Sequence, residues 1–149
     1  MHSITAMELQ EFSSRDLCIQ INNSNLVRLQ LLDGSCRELV APILGRDFMA
    51  GRLEDEKTLG VFRRSIVRSV QFETQIGLAS RPLEYTRKAI GELLANERFP
   101  ALAHVGYLEP RTKLHQLRLI GVARGFLFTD YYQNPAIPIA ALGSIELKV

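Results

Sequence analysis

The stretch Leu26-Val27-Arg28-Leu29-Gln30-Leu31-Leu32-Asp33-Gly34-Ser35-Cys36-Arg37-Glu38-Leu39-Val40 decides how this chain is read. Two apolar-rich runs flank Asp33-Gly34, and an Asp-Gly pair in that setting is a strong hairpin signal. Both residues tolerate the positive φ that a type I′ turn requires, which is the turn predicted here. Downstream, Gly45-Arg46-Asp47 precedes a third run, Phe48–Leu53. Glu54-Asp55-Glu56-Lys57 reads as a solvated hairpin tip before a fourth, Thr58–Arg63. One turn at Arg64-Ser65-Ile66 leads to a fifth, Val67–Phe72, while Pro42 inside the second strand marks a bend or an edge position. Five short hairpin-linked strands with a one-turn helix before the last predict a small barrel, because closure removes exposed edges.

On either side of this run the sequence changes character. Residues 1–25 form an N-terminal segment that fits a short amphipathic turn or a strand equally well, ending in the turn chemistry of Asn22-Asn23-Ser24-Asn25. Ser80-Arg81-Pro82 followed by Glu84 resembles a helix start, and Leu83, Ile90, Leu93 and Leu94 can share one face. Residues 73–100 are therefore predicted to be a linker carrying a helix of about three turns, closed by Pro100.

The last third repeats the first. Arg46-Asp47-Phe48-Met49 aligns with Arg124-Gly125-Phe126-Leu127, and Ser69-Val70-Gln71-Phe72 with Ser144-Ile145-Glu146-Leu147. Strands are predicted at Leu102–Leu108, Leu114–Val122, Phe126–Tyr131, Ile137–Ile139 and Ser144–Val149. The expected fold is mainly β, as two small five-stranded Sm/SH3-like barrels at 26–72 and 101–149 joined by a helix. The competing architecture is one larger β-rich α+β domain.

Composition narrows the class. A chain of 149 residues with 46% hydrophobic and 23% charged residues is globular rather than disordered. No apolar run approaches the roughly 18–20 residues of a membrane span, and the N-terminus lacks a secretory pattern, so a cytoplasmic protein without membrane contact is expected. A net charge of +2 falls short of an obligate nucleic-acid binder. Cys18 and Cys36 match no zinc spacing and are predicted to be buried free thiols. The histidines lack carboxylates at ligand spacing, no nucleophile triad or phosphate loop is present, and no small-molecule substrate is evident. Catalysis, a metal and a cofactor are not expected.

The first strand set resembles the Sm-like family, which includes bacterial Hfq. The resemblance rests on Val27–Leu31 with Asp33-Gly34, on Asp47 with Phe48, and on Val61-Phe62-Arg63-Arg64-Ser65-Ile66, which is similar to the Hfq closing phrase. It implies a small barrel and an RNA face at Phe62, Arg63 and Arg64, the ring stacking a base and the arginines meeting phosphate and uracil. The family's strand-two glycine is absent, Leu39 standing in its place, and Ala50-Gly51 replace its base-reading asparagine. In the repeat the phrase becomes Ile137-Pro138-Ile139-Ala140-Ala141, without a basic residue. Pro138 lacks a backbone donor, which argues against an Hfq-type homo-hexameric ring. The doubled pattern resembles little-characterised bacterial proteins with two Sm-like barrels.

Two candidate surfaces emerge. Phe62, Arg63, Arg64 and Arg68 are candidate nucleic-acid contacts through phosphate neutralisation and ring stacking, set against a buried Phe62 and arginines balanced by Glu54, Asp55 and Glu56. Arg28, Arg37 and Arg46 are too dispersed to add to them. Tyr131 and Tyr132 are candidate protein-interface residues, set against local hairpin packing. The expected function is a non-enzymatic binding module, a protein-interaction or regulatory adaptor, with RNA binding through Phe62-Arg63-Arg64 as the alternative.

Overall fold

The computed structural model describes residues 2–5, 26–53, 57–73, 84–108, 115–133 and 135–148. It is mainly β. In chain order the strands are β1 (His2–Thr5), β2 (Leu26–Leu31), β3 (Cys36–Leu44), β4 (Phe48–Arg52), β5 (Thr58–Arg63) and β6 (Val67–Glu73). Next come β7 (Glu84–Tyr85), β8 (Ala101–Tyr107), β9 (His115–Ala123), β10 (Phe126–Thr129), β11 (Ala136–Pro138) and β12 (Leu142–Lys148). Single 3₁₀ turns at Arg64–Ile66 and Ile139–Ala141 precede β6 and β12.

All these strands lie in one sheet of order β1-β6-β2-β3-β4-β5-β12-β8-β9-β10-β11, with the two-residue β7 parallel to β3. The order β6-β2-β3-β4-β5 recurs as β12-β8-β9-β10-β11: in each half the last strand returns beside the first. Local hydrogen bonds repeat as well. Arg64 N donates to Asp47 O and Ile139 N to Gly125 O, both at 2.9 Å; Leu32 N donates to Ile66 O and Leu108 N to Ala141 O, also both at 2.9 Å. The ladder itself is open. It runs continuously through the β5–β12 seam (Phe62 opposite Ser144, Val61 opposite Ile145), and among the described residues neither half closes separately.

Side-chain packing, rather than a break in the ladder, divides the molecule. One core gathers Val27, Leu29, Leu39, Met49, Phe62, Val70 and their neighbours. The other gathers Ala103, Val105, Leu119, Leu127, Ile137 and Ile145, but also Phe48, Ala50, Leu59 and Val61 from the first half. Strands β4 and β5 therefore sit between two apolar layers and are buried on both faces. That accounts for their near-continuous apolar sequence where a one-sided strand alternates. Burying each large side chain contributes roughly 1.5–3 kcal/mol. The tight passage at Gly60 fits this position: a Cβ there would lie 2.8 Å from Phe62 Cε2 and 3.1 Å from Leu53 Cδ2.

Several local expectations need correction. The Asp33-Gly34 loop is not type I′, since only Gly34 has a positive φ (+89°). Asp33 instead accepts bonds from the Ser35 N–H and hydroxyl (2.8 and 2.6 Å), an Asx turn in a four-residue loop. The two-residue loop with positive φ at both positions is Arg124–Gly125 (+53° and +79°). The linker helix α1 spans only Ile90–Leu94, because Glu84–Tyr85 is taken up as β7 and Thr86 N donates to Leu44 O. It ends well before Pro100, and Ser80-Arg81-Pro82 and Leu83 lie outside the described residues. Cys36 is exposed rather than buried, at the solvent end of β3; Cys18 lies outside the described residues. Pro42 does mark a bend, at a register shift between Val40 and Ile43 where Ala41 has φ +51°.

Candidate functional site

The basic phrase emerges from β5 into the first 3₁₀ turn, and the seam engages most of it. Alternation along β5 turns Phe62 into the first core, where it is 1% exposed. No stacking ring is offered to a base, which removes Phe62 from the predicted RNA face. Arg63 points to the other side. Its Nε donates to Leu142 O (2.7 Å) and its Nη2 to Ile139 O (2.9 Å), while Nη1 pairs with Asp47. Ile139 opens the second 3₁₀ turn, where its carbonyl also accepts from the Leu142 N–H, and Leu142 follows the turn. A planar guanidinium with donors in a fixed fork suits this task. The side chain is 16% exposed, so Arg63 serves as a clamp between the halves.

Arg64 is half-buried and donates to Gly45 O at 3.2 Å. Arg68 is the one member of the cluster that faces solvent, with a long 3.5 Å contact to Leu32 O. The acidic tip Glu54-Asp55-Glu56 lies outside the described residues; the carboxylate that meets the cluster is Asp47. Arg37 is a second clamp, donating from Nε to Glu146 Oε1 at 2.7 Å across the seam. Arg52 reaches Glu97 beyond α1 at 2.9 Å. These three arginines thus tie first-half strands to later segments of the chain.

The second half presents a different surface. Leu127 is buried between Phe126 and Phe128, so both phenylalanines point away from the core, with Phe126 40% exposed. A register shift where Thr129 meets Leu119 and Phe128 meets Gly121 leaves Ile120 on the same outer side, 52% exposed. A bulge adds one unpaired residue and re-aims its side chain. Leu102, opposite Arg118, and Pro138, opposite Phe126, extend this outward side. Beyond β10, Asp130 pairs loosely with Arg118 (3.9 Å), and Tyr131 and Tyr132 come next in the chain.

The two tyrosine rings are tilted at 52° with centroids 5.8 Å apart. Gln133 accepts from the Tyr131 hydroxyl (2.5 Å) and donates to that of Tyr132 (3.1 Å). Tyr132 is 82% exposed and Tyr131 46%. Local hairpin packing therefore does not bury this pair, although β10 ends at Thr129, before the predicted Tyr131. Sequence reasoning missed Ile120 and Phe126, because Leu119-Ile120 and Phe126-Leu127-Phe128 are uniformly apolar and show no face.

The outer edge of β11 is unusual for a terminal strand. Thr129 N donates to Pro135 O and Ile139 N to Gly125 O, so Ile137 between them faces β10. Ala136 and Pro138 then turn their backbone groups outward. Pro138 has no N–H, which leaves Ala136 as the outward donor of the strand. A proline so placed blunts an edge against strand addition. At the opposite end of the sheet, β1 covers β6 (His2 opposite Phe72, Thr5 opposite Ser69).

Among the described residues there is no group of three metal-ligating side chains and no helix long and apolar enough to cross a membrane. Comparison with models of known families, with curated proteins and with solved structures finds no match.

Proposed function

We propose that this chain is a non-enzymatic, cytoplasmic protein-interaction module built from two Sm-like five-strand units. Phe126 and Ile120 on the outward side of β9–β10, with the tyrosine pair beyond, form its contact surface. The carrying observation is that these four large apolar or aromatic side chains, within a short span of the second half, are exposed beside the buried Leu119 and Leu127. Exposed aromatics are enriched at protein interfaces, and tyrosine adds area with a hydrogen-bonding tip. The alternative, RNA binding by Phe62-Arg63-Arg64, loses support because the ring is in the core and Arg63 is engaged by three partners. The recurring strand order supports the Sm-like unit, as does the position of the Arg64–Ile66 turn before β6.

The test pairs two measurements. Proximity capture with wild type, Phe126→Asp/Tyr132→Ala and Arg68→Ala should give a partner retained by wild type and Arg68→Ala and lost by the double variant. Titration of uridine-rich RNA at two salt concentrations should give no salt-sensitive binding. Salt-sensitive RNA binding that disappears in Arg64→Ala/Arg68→Ala would overturn the proposal, since counterion release marks phosphate contact.

A further inference from the structure

We infer that the cleft where the two halves meet binds an alkylammonium group, such as the head of a lysine side chain or of a free aliphatic amine. The cleft lies at the seam, apart from the aromatic surface of the second half, and does not depend on that surface having a partner. Its volume is about 120 Å³, against the ~10–15 Å³ that holds one water. The β2–β3 turn (Asp33, Ser35), Phe62 and Ile66 form one side, and Gly106, Ser144 and Glu146 form the other.

The polar atoms define the ligand. Asp33 Oδ1 accepts both Ser35 bonds, and Glu146 Oε1 accepts from Arg37. Asp33 Oδ2, Glu146 Oε2 and the Ser144 hydroxyl make no hydrogen bond among the described residues. Glu146 and Ser144 are more than nine-tenths buried, at 8% and 7% exposure. Neither free oxygen is sealed from solvent, so both open into the cleft, where a donor can meet them. All three can accept, and an ammonium carries three N–H donors. Arg37 is already committed to Glu146 and to Cys36 O, so with two carboxylates and one guanidinium the cleft keeps one net negative charge. That balance favours a cation over a phosphate or carboxylate.

The walls suit the rest of the ligand. Leu31, Phe62 and Ile66 present apolar surface, against which a methylene stem can lie while its head reaches the carboxylates. Gly143 lets the apolar wall pack close: a Cβ there would stand 3.0 Å from Ile66 Cγ2 and 3.3 Å from Leu108 Cδ2.

Amide chemical shifts of the full chain are followed during titration with N-acetyl-lysine methylamide, its norleucine counterpart and cadaverine. The lysine probe should move the amides of Ser35, Gly106, Gly143 and Ser144, and the norleucine probe should not. Asp33→Asn, whose side-chain carbonyl can still accept from Ser35, should weaken binding about tenfold, as loss of a charged hydrogen-bond partner does. Glu146→Gln should act in the same direction. Tighter binding of the lysine probe than of cadaverine assigns the site to a protein side chain, and the reverse assigns it to a free amine; both support the site. Equal shifts with lysine and norleucine probes, no shifts at these amides, or unchanged affinity in a folded Asp33→Asn would overturn the inference.

Discussion

Strands β5 and β11 hold the same place in the two halves, yet one lies at the centre of the sheet and the other at its rim. Both come after a hairpin from the third strand of their set and both end in a one-turn 3₁₀ helix. Arg63 and Pro138 occupy the corresponding position before that turn. The outward edge of β5 is paired along its length with β12, and Arg63 then clamps the carbonyls of Ile139 and Leu142. The outward edge of β11 ends in a residue without an N–H. The same strand geometry is thus a joint in one half and a stop in the other, decided by one side chain and one missing hydrogen. Duplication supplies two potential joints, and the second must be silenced if the sheet is not to grow by head-to-tail addition.

The comparison can be broken most severely at its cores. Phe62→Ala should cost about 3–5 kcal/mol in chemical denaturation, and Ile137→Ala at the corresponding place about 2–5 kcal/mol. A larger loss for Phe62 than for Ile137 would sharpen the contrast between a strand buried on both faces and one at the rim. Arg63→Ala should rank next, at roughly 1–3 kcal/mol, because two half-buried carbonyls lose their charged donor. Arg63→Lys should recover only part of this, since one ammonium cannot reproduce the fork. An undiminished stability in Arg63→Ala would show that the ladder alone holds the seam.

Pro138→Thr probes the opposite side of the comparison. It restores an outward N–H and a β-favouring side chain, so the sedimentation coefficient should become concentration-dependent where that of wild type is not. Indistinguishable sedimentation would show that β11 is too short to pair whatever its third residue. The smallest effect concerns Asp33. Hydrogen bonds from the Ser35 hydroxyl and then its N–H hold this carboxyl below the usual carboxylate range. A carboxyl depressed in the folded state stabilises at pH above its unfolded value, and this contribution fades as pH falls through the folded value. The acid limb of a stability profile should therefore flatten slightly in Asp33→Asn, by little, because the group is exposed.

Much of the local structure was legible in the sequence. The runs Leu26–Leu31, Cys36–Leu44 and Thr58–Arg63 carry strand composition between turn residues, and those signals are short-ranged enough to survive in one sequence. The repeat was legible too, because Phe48 and Phe126 each open a strand and Ser69 and Ser144 each stand third in one. The candidate site was less so. Tyr131 and Tyr132 are as exposed as a partner surface requires, but Ile120 faces outward through a bulge that no residue type announced. Arg37, which the sequence showed only as an isolated charge, finds Glu146 more than a hundred positions away.

By itself, then, the sequence determined most of the residues that form β2–β6 and β8–β12, where the chain turns between them and that the pattern comes twice. Hydrophobic alternation and turn chemistry act over a few residues, and any neighbour must accommodate them. Only the tertiary structure decided which face of each strand meets solvent. Alternation separates Phe62 from Arg63 and Ile145 from Glu146, but both sides of the seam are covered. The residues that look outward in the strand pattern therefore become a core, a clamp and the lining of a cleft.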